Sequence, residues 1–469
     1  MQSSTFACEH NPKALIIDKR MSATETTSIG IQASGNISDA QVTDHAFIRK
    51  LIWAYFLLLV IGEGVLRKWV LPSLSEIILI IRDPLVVWIY YLAYSQGLFP
   101  TENKYIQKIF LWTVVAVVAT IFFNGGHPFS IAYGIHSNLL HFPLIFIIAK
   151  VLTGRDVIRY GQAFLLLALP MTWLMTQQFQ AEREDIMNVA AGGTGYQLET
   201  SGGKVRASGT FTFVSGPVFY FCFTMAFLIH GFLNKKAFPK WMLYLGTSAT
   251  FLAMVTAGSR ALIAESLQVV ACFGFLAYFR PHEFGKITTA VFGFSIIGLF
   301  LYTQLDLFKE GLNFLSLRFE EAANVEGTPV EAYFNRYWEI LSAPYYYNQF
   351  TPLLGNHGLG SATRAGSTLA MRYGADFYSG GAEISWSRPI LENGIIIGIL
   401  FIAWRIWLAF DLLKTCIRAI NRGNYLAIFL FGAAGPILLF GQLGQPTNLG
   451  FAAFGGGLCL AAARAKTFS

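Results

Sequence analysis

Long apolar runs follow one another along most of this sequence, and an apolar run of about 17 to 25 residues is long enough to cross a bilayer as a helix. The chain is 54% hydrophobic and only 13% charged, whereas soluble domains carry about 25% charged residues. Both observations predict an all-α polytopic membrane protein. The twelve candidate transmembrane helices lie near residues 47–66, 74–95, 106–123, 131–151, 157–176, 211–233, 241–258, 260–279, 287–305, 389–413, 424–441 and 445–463.

These runs divide the chain into four parts. Residues 1–45 are polar and rich in Ser and Thr, which predicts a disordered cytoplasmic tail. Residues 46–305 hold nine predicted helices and an outer loop at 177–210. Residues 306–388 form the longest polar interval, and its tyrosines, tryptophans and separated arginines predict an ordered, mostly helical extracytoplasmic loop. Residues 389–469 hold the last three helices and a short cytoplasmic tail.

Lysines and arginines are distributed unevenly between the short loops, and in membrane proteins they concentrate on the cytoplasmic side. With the N-terminus in the cytoplasm, the outer short connections hold only Arg67, Lys68 and Arg260. The pattern predicts that both termini are cytoplasmic and that 177–210 and 306–388 lie outside. We interpret Arg67 and Lys68 as interfacial residues that extend toward the headgroups. Arg260 has almost no loop around it, so we interpret it as part of a site.

Several polar residues fall inside or beside the second predicted helix. Arg82 and Asp83 are adjacent and precede a proline. We predict that these opposite charges neutralise each other, with a ligand site as the alternative. Glu63 and Glu76 are the predicted partners of the two interfacial basic residues.

Three histidines, His127, His136 and His141, flank the third outer turn. A metal site in proteins combines such residues with further ligands at a characteristic spacing. Because no carboxylate or cysteine accompanies these histidines at ligand spacing in the sequence, we predict no metal site.

Two features of the outer loops point to ligand binding or to ordered packing. The interval 177–210 is glycine-rich, and Arg206 lies near its end, where the outward-facing N-terminus of the sixth helix adds positive potential. In the larger loop, Thr328-Pro329-Val330-Glu331 predicts a capping box at the start of a helix. That helix carries an apolar stripe, which indicates packing more often than sugar stacking, formed by Phe334, Tyr337, Trp338 and Leu341.

Short motifs occur in a recognisable order over about residues 200 to 400. They are Arg206-Ala-Ser-Gly-Thr-Phe, Ser259-Arg260-Ala261-Leu262, Asn335-Arg336-Tyr337-Trp338, Pro352-Leu353-Leu354-Gly355 with Gly358-Leu359-Gly360, and Glu392-Asn393-Gly394. This order, together with the predicted topology, resembles the O-antigen ligase and O-antigen polymerase superfamily. The resemblance implies a GT-C-type membrane glycosyltransferase. Such enzymes move a glycan from undecaprenyl diphosphate to an acceptor on the outer face of the bacterial inner membrane, without a metal or other cofactor.

The chemistry of that transfer assigns roles to individual residues. Displacing a diphosphate from an anomeric carbon develops negative charge, which arginine forks bind and stabilise. We therefore expect Arg206, Arg260 and Arg336 to hold the diphosphate. Ligases of the family carry a histidine, thought to activate the acceptor hydroxyl, at the position of Glu383, which becomes the candidate general base of an inverting reaction. The alternative for Glu383 is a loop carboxylate paired with Arg388.

Other charged residues of the same region have weaker assignments. Arg364, Arg372 and Arg388 would bind acceptor glycan or merely solvate the loop. Glu392 opens the tenth predicted helix, where the helix dipole favours a carboxylate, so we interpret it as structural.

The leading functional prediction is a polymerase that joins lipid-linked repeat units into surface polysaccharide or exopolysaccharide. The alternative within the family is a ligase that transfers finished glycan to a lipid or protein acceptor; the replaced histidine favours the polymerase. Twelve helices also fit a transporter of polysaccharide or lipid-linked sugars, although the two halves show no convincing duplication. Expected partners are the undecaprenyl-diphosphate-linked donor, a glycan or lipid acceptor, the bilayer and a chain-length regulator protein. The sequence has no dense basic patch, which argues against nucleic acid.

Overall fold

The computed structural model of the protein describes residues 45–200, 203–373 and 385–465. Within these ranges the chain is helical, with two isolated β-bridges, Val189 to Tyr196 and Glu199 to Val205, in place of a sheet. The predicted N-terminal tail up to residue 44, the candidate base Glu383 and the end of the C-terminal tail lie outside the described residues.

The helices are numbered in chain order. The first half contains α1 (Ala46–Leu57), α2 (Glu63–Val65), α3 (Ser75–Ile78), α4 (Asp83–Ser95), α5 (Lys104–Asn124), α6 (Pro128–Ile135), α7 (Phe142–Val151), α8 (Gly154–Gln180), α9 (Ser215–Leu233) and α10 (Lys240–Thr256). The second half contains α11 (Arg260–Phe279), α12 (Phe284–Gln304), α13 (Asp306–Glu326), α14 (Pro329–Tyr347), α15 (Arg364–Tyr373), α16 (Ser387–Asn393), α17 (Ile395–Asn421), α18 (Leu426–Phe440) and α19 (Pro446–Arg464).

Helical structure covers all twelve predicted transmembrane positions. Eight helical segments in the described part of the chain are long and apolar enough to cross a membrane, which identifies a helical membrane protein. The other four positions hold the α1–α2 segment, α10, α18 and α19, so the full number of twelve spans stays a prediction. The eight segments are Pro72–Ser95, Lys104–Asn124, Pro128–Val151, Gly154–Gln180, Ser215–Leu233, Arg260–Phe279, Pro281–Gln304 and Ile395–Asn421.

Helix α9 lies at the centre of the helical body. Its most apolar window is 94% buried by protein, whereas that of the segment containing α12 is only 17% buried. Helices α8, α10, α11 and α18 pack around α9. Because α12 presents most of its apolar surface outward, it lies at the periphery, where lipid would cover it.

In the described part of the first half of the chain, π-helical turns occur at Leu58–Gly62, Leu66–Val70 and His136–Leu140. Such turns widen a helix locally and often occur at functional sites. The turns at Leu66–Val70 and His136–Leu140 carry buried polar side chains, among them Arg67 and His136, and so place polar groups inside the helical body.

The described part of the large loop is mostly helical, as predicted. Helix α14 begins at the predicted capping box, in which Glu331 N donates to Thr328 Oγ1 over 3.3 Å and Thr328 N donates to Glu331 Oε2 over 2.8 Å. The packing prediction for its apolar stripe is wrong for three members. Phe334, Trp338 and Leu341 are exposed, whereas Tyr337 packs edge-on against Phe440 at 4.9 Å between ring centroids.

A glycine-rich loop from residue 352 to 363 lies against α5 and α6. Leu359 N donates to Thr120 Oγ1 over 2.8 Å, and Ser130 Oγ donates to Leu359 O over 3.0 Å. Gly360 has a φ of +83°, and a Cβ there would lie 2.1 Å from Ser130 O. Only glycine fits this close approach, which explains the spacing of glycines in the sequence.

The tenth predicted helix is broken at Gly394, whose φ is +91°. A Cβ at this glycine would lie 2.9 Å from Gly355 N, because the glycine-rich loop crosses the break. Glu392 therefore lies in the last turn of α16 instead of at the start of a transmembrane helix. The dipole argument for Glu392 is wrong.

Candidate functional site

The segment before α9 and the helices of the large loop meet at one end of the helical body. Lys204 Nζ lies 2.9 Å from Glu310 Oε1 on α13. The rings of Phe179 and Phe314 contact each other with centroids 5.4 Å apart. Gly258, which precedes α11 and has a φ of +55°, lies so close to Phe314 that a Cβ would be 2.5 Å from its ring. The two predicted outer loops are therefore packed together with the N-terminus of α11.

A cavity of about 480 Å³ opens at this end, between α11, α13 and α14. Arg260, the first residue of α11, and Arg336 on α14 both line it. Apart from these arginines, Gln268 and Tyr333, its walls are mostly apolar or small: Ala261, Ile263, Ala264, Leu267, Ala271, Phe319, Ala322, Gly327, Val330 and Ala332.

Arg206, in the segment before α9, lies near the two arginines that line this cavity. Its burial and the positive charges of Arg318, Arg336 and Arg260 lower its pKa. Its Nε atom is buried without a hydrogen-bond partner among the described residues. The three arginines predicted to hold a diphosphate thus lie near one another, and a local excess of positive charge attracts anions.

Arg318 on α13 is a fourth member of this group. One of its nitrogen atoms, Nη1, donates to Glu321 Oε2 over 2.7 Å, but its Nε is buried with no hydrogen-bond partner in the described part of the chain. No sequence motif distinguishes Arg318 from the other arginines of the loop. The signal lies in the fold, because α13 packs beside α11 and α14.

A hydrogen-bonded wall closes one side of the cavity. Gln268 Nε2 on α11 donates to the Tyr333 hydroxyl over 2.7 Å and also contacts the Tyr337 hydroxyl. Burial, together with Tyr333 and Glu265, raises the pKa of Tyr337. The Tyr337 hydroxyl of this wall is therefore neutral at neutral pH.

The three arginines assigned to acceptor glycan lie in different surroundings. The Arg364 guanidinium binds the carboxylate of Glu76, with Nε donating to Oε2 over 2.7 Å, which raises the pKa of Arg364. Arg372 is exposed in the last turn of α15. Arg388 is buried and donates to Asn138 Oδ1 over 2.5 Å. Their role in acceptor binding stays a prediction.

Glu392 is fully buried, and its contacts hold the glycine-rich loop. Its Oε1 accepts the Ala362 N–H over 3.2 Å, and its carbonyl oxygen accepts the Gly358 N–H over 2.8 Å. A structural role for Glu392 is therefore consistent with these contacts, although the reason differs from the predicted one.

A second polar cluster lies inside the helical body, and it corrects the prediction for Arg82. The Arg82 Nε donates to Glu63 Oε2 over 3.1 Å, and Nη2 donates to Pro446 O over 2.6 Å. Glu63 also pairs with Arg67 at 3.3 Å, as predicted. Adjacent helical residues do not face each other, so Arg82 and Asp83 find different partners.

Asp83 instead binds two histidines. Its carboxylate accepts a hydrogen bond from His136 Nδ1 over 2.7 Å and from His141 Nε2 over 3.1 Å. The Tyr55 hydroxyl hydrogen-bonds to His141 Nδ1 over 3.1 Å and accepts from Arg82. The expectation that no carboxylate accompanies the histidines is wrong. The ligand atoms of the trio lie within 4.8 Å of one another, so this set could hold a divalent metal.

Arg67 and Lys68 are buried, so the interpretation of these residues as interfacial is wrong. Lys68 Nζ donates to Ser208 Oγ and Gly209 O, each over 3.1 Å. Glu76 is not their partner, since it pairs with Arg364. Lys68 therefore connects the π-helical turn Leu66–Val70 to the segment that carries Arg206.

Together, the fold and the site define a helical membrane protein with an arginine-lined cavity at one end of its helical body. No family model matches the sequence, and no curated protein matches it either. The resemblance to O-antigen ligases and polymerases therefore rests on the order of the short motifs and on the positions of their residues.

Proposed function

We propose that this protein is a membrane glycosyltransferase that uses polyprenyl-diphosphate-linked glycan, acting as a polymerase of repeat units on the outer face of the bacterial inner membrane. The observation that carries the proposal is that Arg260 and Arg336 line one cavity, while Arg206 lies close enough to both of them and to Arg318 for their charges to lower its pKa. Three of these four residues belong to the motifs that resemble the O-antigen ligase and polymerase superfamily.

The cavity suits the two parts of such a donor. Guanidinium groups bind phosphate oxygens through paired, charge-assisted hydrogen bonds. The apolar side chains of Ile263, Leu267 and Val330 line the same cavity and would contact the polyprenyl chain. A cluster of positive charge that stays in place as the diphosphate departs stabilises the transition state more than the substrate.

In the proposed reaction, an acceptor hydroxyl attacks the anomeric carbon on the face opposite the diphosphate. The bond from that carbon to the phosphate oxygen breaks, the electron pair stays on the diphosphate, and the configuration inverts. The resemblance implies Glu383 as one candidate for the base that accepts the hydroxyl proton, and Glu383 lies outside the described residues. No metal enters this proposal.

The test is transfer by the full-length protein from a synthetic polyprenyl-diphosphate glycan in the presence of a chelator. Arg206→Ala, Arg260→Ala and Arg336→Ala should each nearly abolish turnover. Lys309→Ala is a matched control, since Lys309 is on α13 but pairs with the exposed Asp306. Full activity in two of the three arginine variants would contradict the proposal.

Deletion of the gene separates the polymerase from the alternatives. Single repeat units that accumulate on the lipid carrier support polymerisation, whereas long chains that stay unattached support a ligase. A transporter would leave the transfer reaction unaffected in membranes opened to substrate from both sides.

A further inference from the structure

A carboxylate that the family pattern does not include lies next to the proposed donor cavity. Glu265 lies on α11, one helical turn after Ala261 and one helical turn before Gln268. The three residues therefore share a helix face. Ala261 and Gln268 both line the cavity, and Glu265 adjoins these two residues without lining the cavity itself. Glu265 is half-buried and lies close enough to Tyr337 to affect the ionisation of its hydroxyl.

The surroundings of Glu265 contain no cation that pairs with it among the described residues. Glu265 lies near Cys222 on α9 and Tyr337 on α14, and Tyr333 lies beside Tyr337. Of the other helices packed against α11, α13 carries Arg318, which pairs with Glu321, and α17 carries Arg405, which donates to Leu438 O. Helix α18, which also packs against α11, has no charged side chain. An arginine that pairs with a carboxylate lowers the basicity of that carboxylate. A carboxylate without a salt bridge does not lose basicity in this way.

We propose that the carboxylate of Glu265 is the catalytic base that accepts the proton of the attacking acceptor hydroxyl. This proposal rests on the proposed function. As the oxygen-to-carbon bond forms, the hydroxyl proton moves to Glu265, and the bond between the anomeric carbon and the diphosphate oxygen breaks. The products are the extended glycan, the polyprenyl diphosphate and protonated Glu265, which returns its proton to water.

The position of Glu265 relative to the arginines supports separate roles, in which the arginines bind the leaving group and Glu265 accepts the proton. Arg260 and Arg336 line the cavity that would hold the leaving group, while Glu265 adjoins the Gln268–Tyr333–Tyr337 wall. The hydroxyl groups of that wall could orient the sugar hydroxyl of an acceptor. An inverting transfer needs its base on the face opposite the leaving group.

The experiment compares E265Q, E265D, E383Q and wild type for donor binding, turnover and the pH dependence of turnover. E339Q is the matched control, since Glu339 is exposed on α14. We expect E265Q to bind donor like wild type but to lose turnover by about 100-fold or more. The rise of turnover with pH should disappear in E265Q, and E265D should recover part of the activity.

Turnover by E265Q close to that of wild type would overturn the proposal, as would an E265Q pH profile unchanged in shape. A fall in turnover that is fully explained by weaker donor binding would also overturn it. If E383Q alone lost turnover, Glu383 would be the base.

Failure of this proposal and failure of the proposed function give different results. If the arginine variants lose donor binding while E265Q is fully active, only the base assignment fails. If the arginine variants bind donor and turn it over normally, the transferase proposal itself fails.

Discussion

Arg206 and Arg318 approach each other from segments far apart in the sequence, and each buries an Nε–H group that has no hydrogen-bond partner among the described residues. Burial is the main cause that lowers the pKa of Arg206, and the positive charge of Arg318 is the second. Leaving a buried donor unpaired costs about 1–3 kcal/mol. A bound anion that accepts both N–H groups would recover this free energy and relieve the repulsion.

A substitution of Arg318 tests whether a residue found from the fold, and not from the sequence motifs, belongs to the site. Replacing it with alanine should weaken donor binding by about tenfold or more, because a hydrogen bond to a charged group contributes about 1.5–3 kcal/mol. Titration of the purified protein with undecaprenyl diphosphate measures the change, with Lys309→Ala as the control. Unchanged affinity in Arg318→Ala would remove Arg318 from the site.

Arg336→Lys separates charge from geometry. Lysine keeps the positive charge but cannot form the paired hydrogen bonds of a guanidinium group. We expect its affinity for the diphosphate to lie between those of wild type and Arg336→Ala. Equal affinities for Arg336→Lys and wild type would mean that Arg336 acts as a simple charge.

The buried pairs of Glu63 predict a large effect on stability. Glu63→Gln leaves the buried Arg82 and Arg67 without their carboxylate, and removing one partner of a buried pair costs about 3–5 kcal/mol. Reversible unfolding in detergent should show a loss of that size. A variant as stable as wild type would show that Pro446 O and Tyr55 suffice to hold Arg82.

A substitution at Gly360 tests the close contact between the glycine-rich loop and α6. In Gly360→Ala, the new Cβ would lie 2.1 Å from Ser130 O in addition to the strain of a φ of +83°. Gly195→Ala is the matched control, since Gly195 has a φ of +85° but nothing within 4 Å of its Cβ position. The thermal unfolding temperature should fall clearly further for Gly360→Ala, and equal decreases would contradict the close approach.

The positions of the helices could be predicted from the sequence because membrane-spanning segments are long and uniformly apolar. The capping box at Thr328 was also predictable, since its two hydrogen bonds join residues within one turn. The grouping of Arg206, Arg260 and Arg336 followed from the motif order, and the structure brings them together.

The polar cluster around Arg82 could not be predicted, because its contacts depend on tertiary packing. Arg82 binds Glu63 and Asp83 binds His136 and His141, and each of these pairs joins separate helical segments. The π-helical turn that begins at His136 gives no signal in apolar periodicity. For the same reason, nothing in the sequence distinguished Arg318 or Glu265 from other charged residues.

The most direct test of the arginine site is the affinity of the purified protein for undecaprenyl diphosphate compared with uncharged undecaprenol in the same detergent. We expect wild type to prefer the diphosphate strongly, and Arg206→Ala, Arg260→Ala, Arg318→Ala and Arg336→Ala each to reduce that preference by about tenfold or more. Equal binding of the two lipids by wild type, or a preference that survives all four substitutions, would contradict the account.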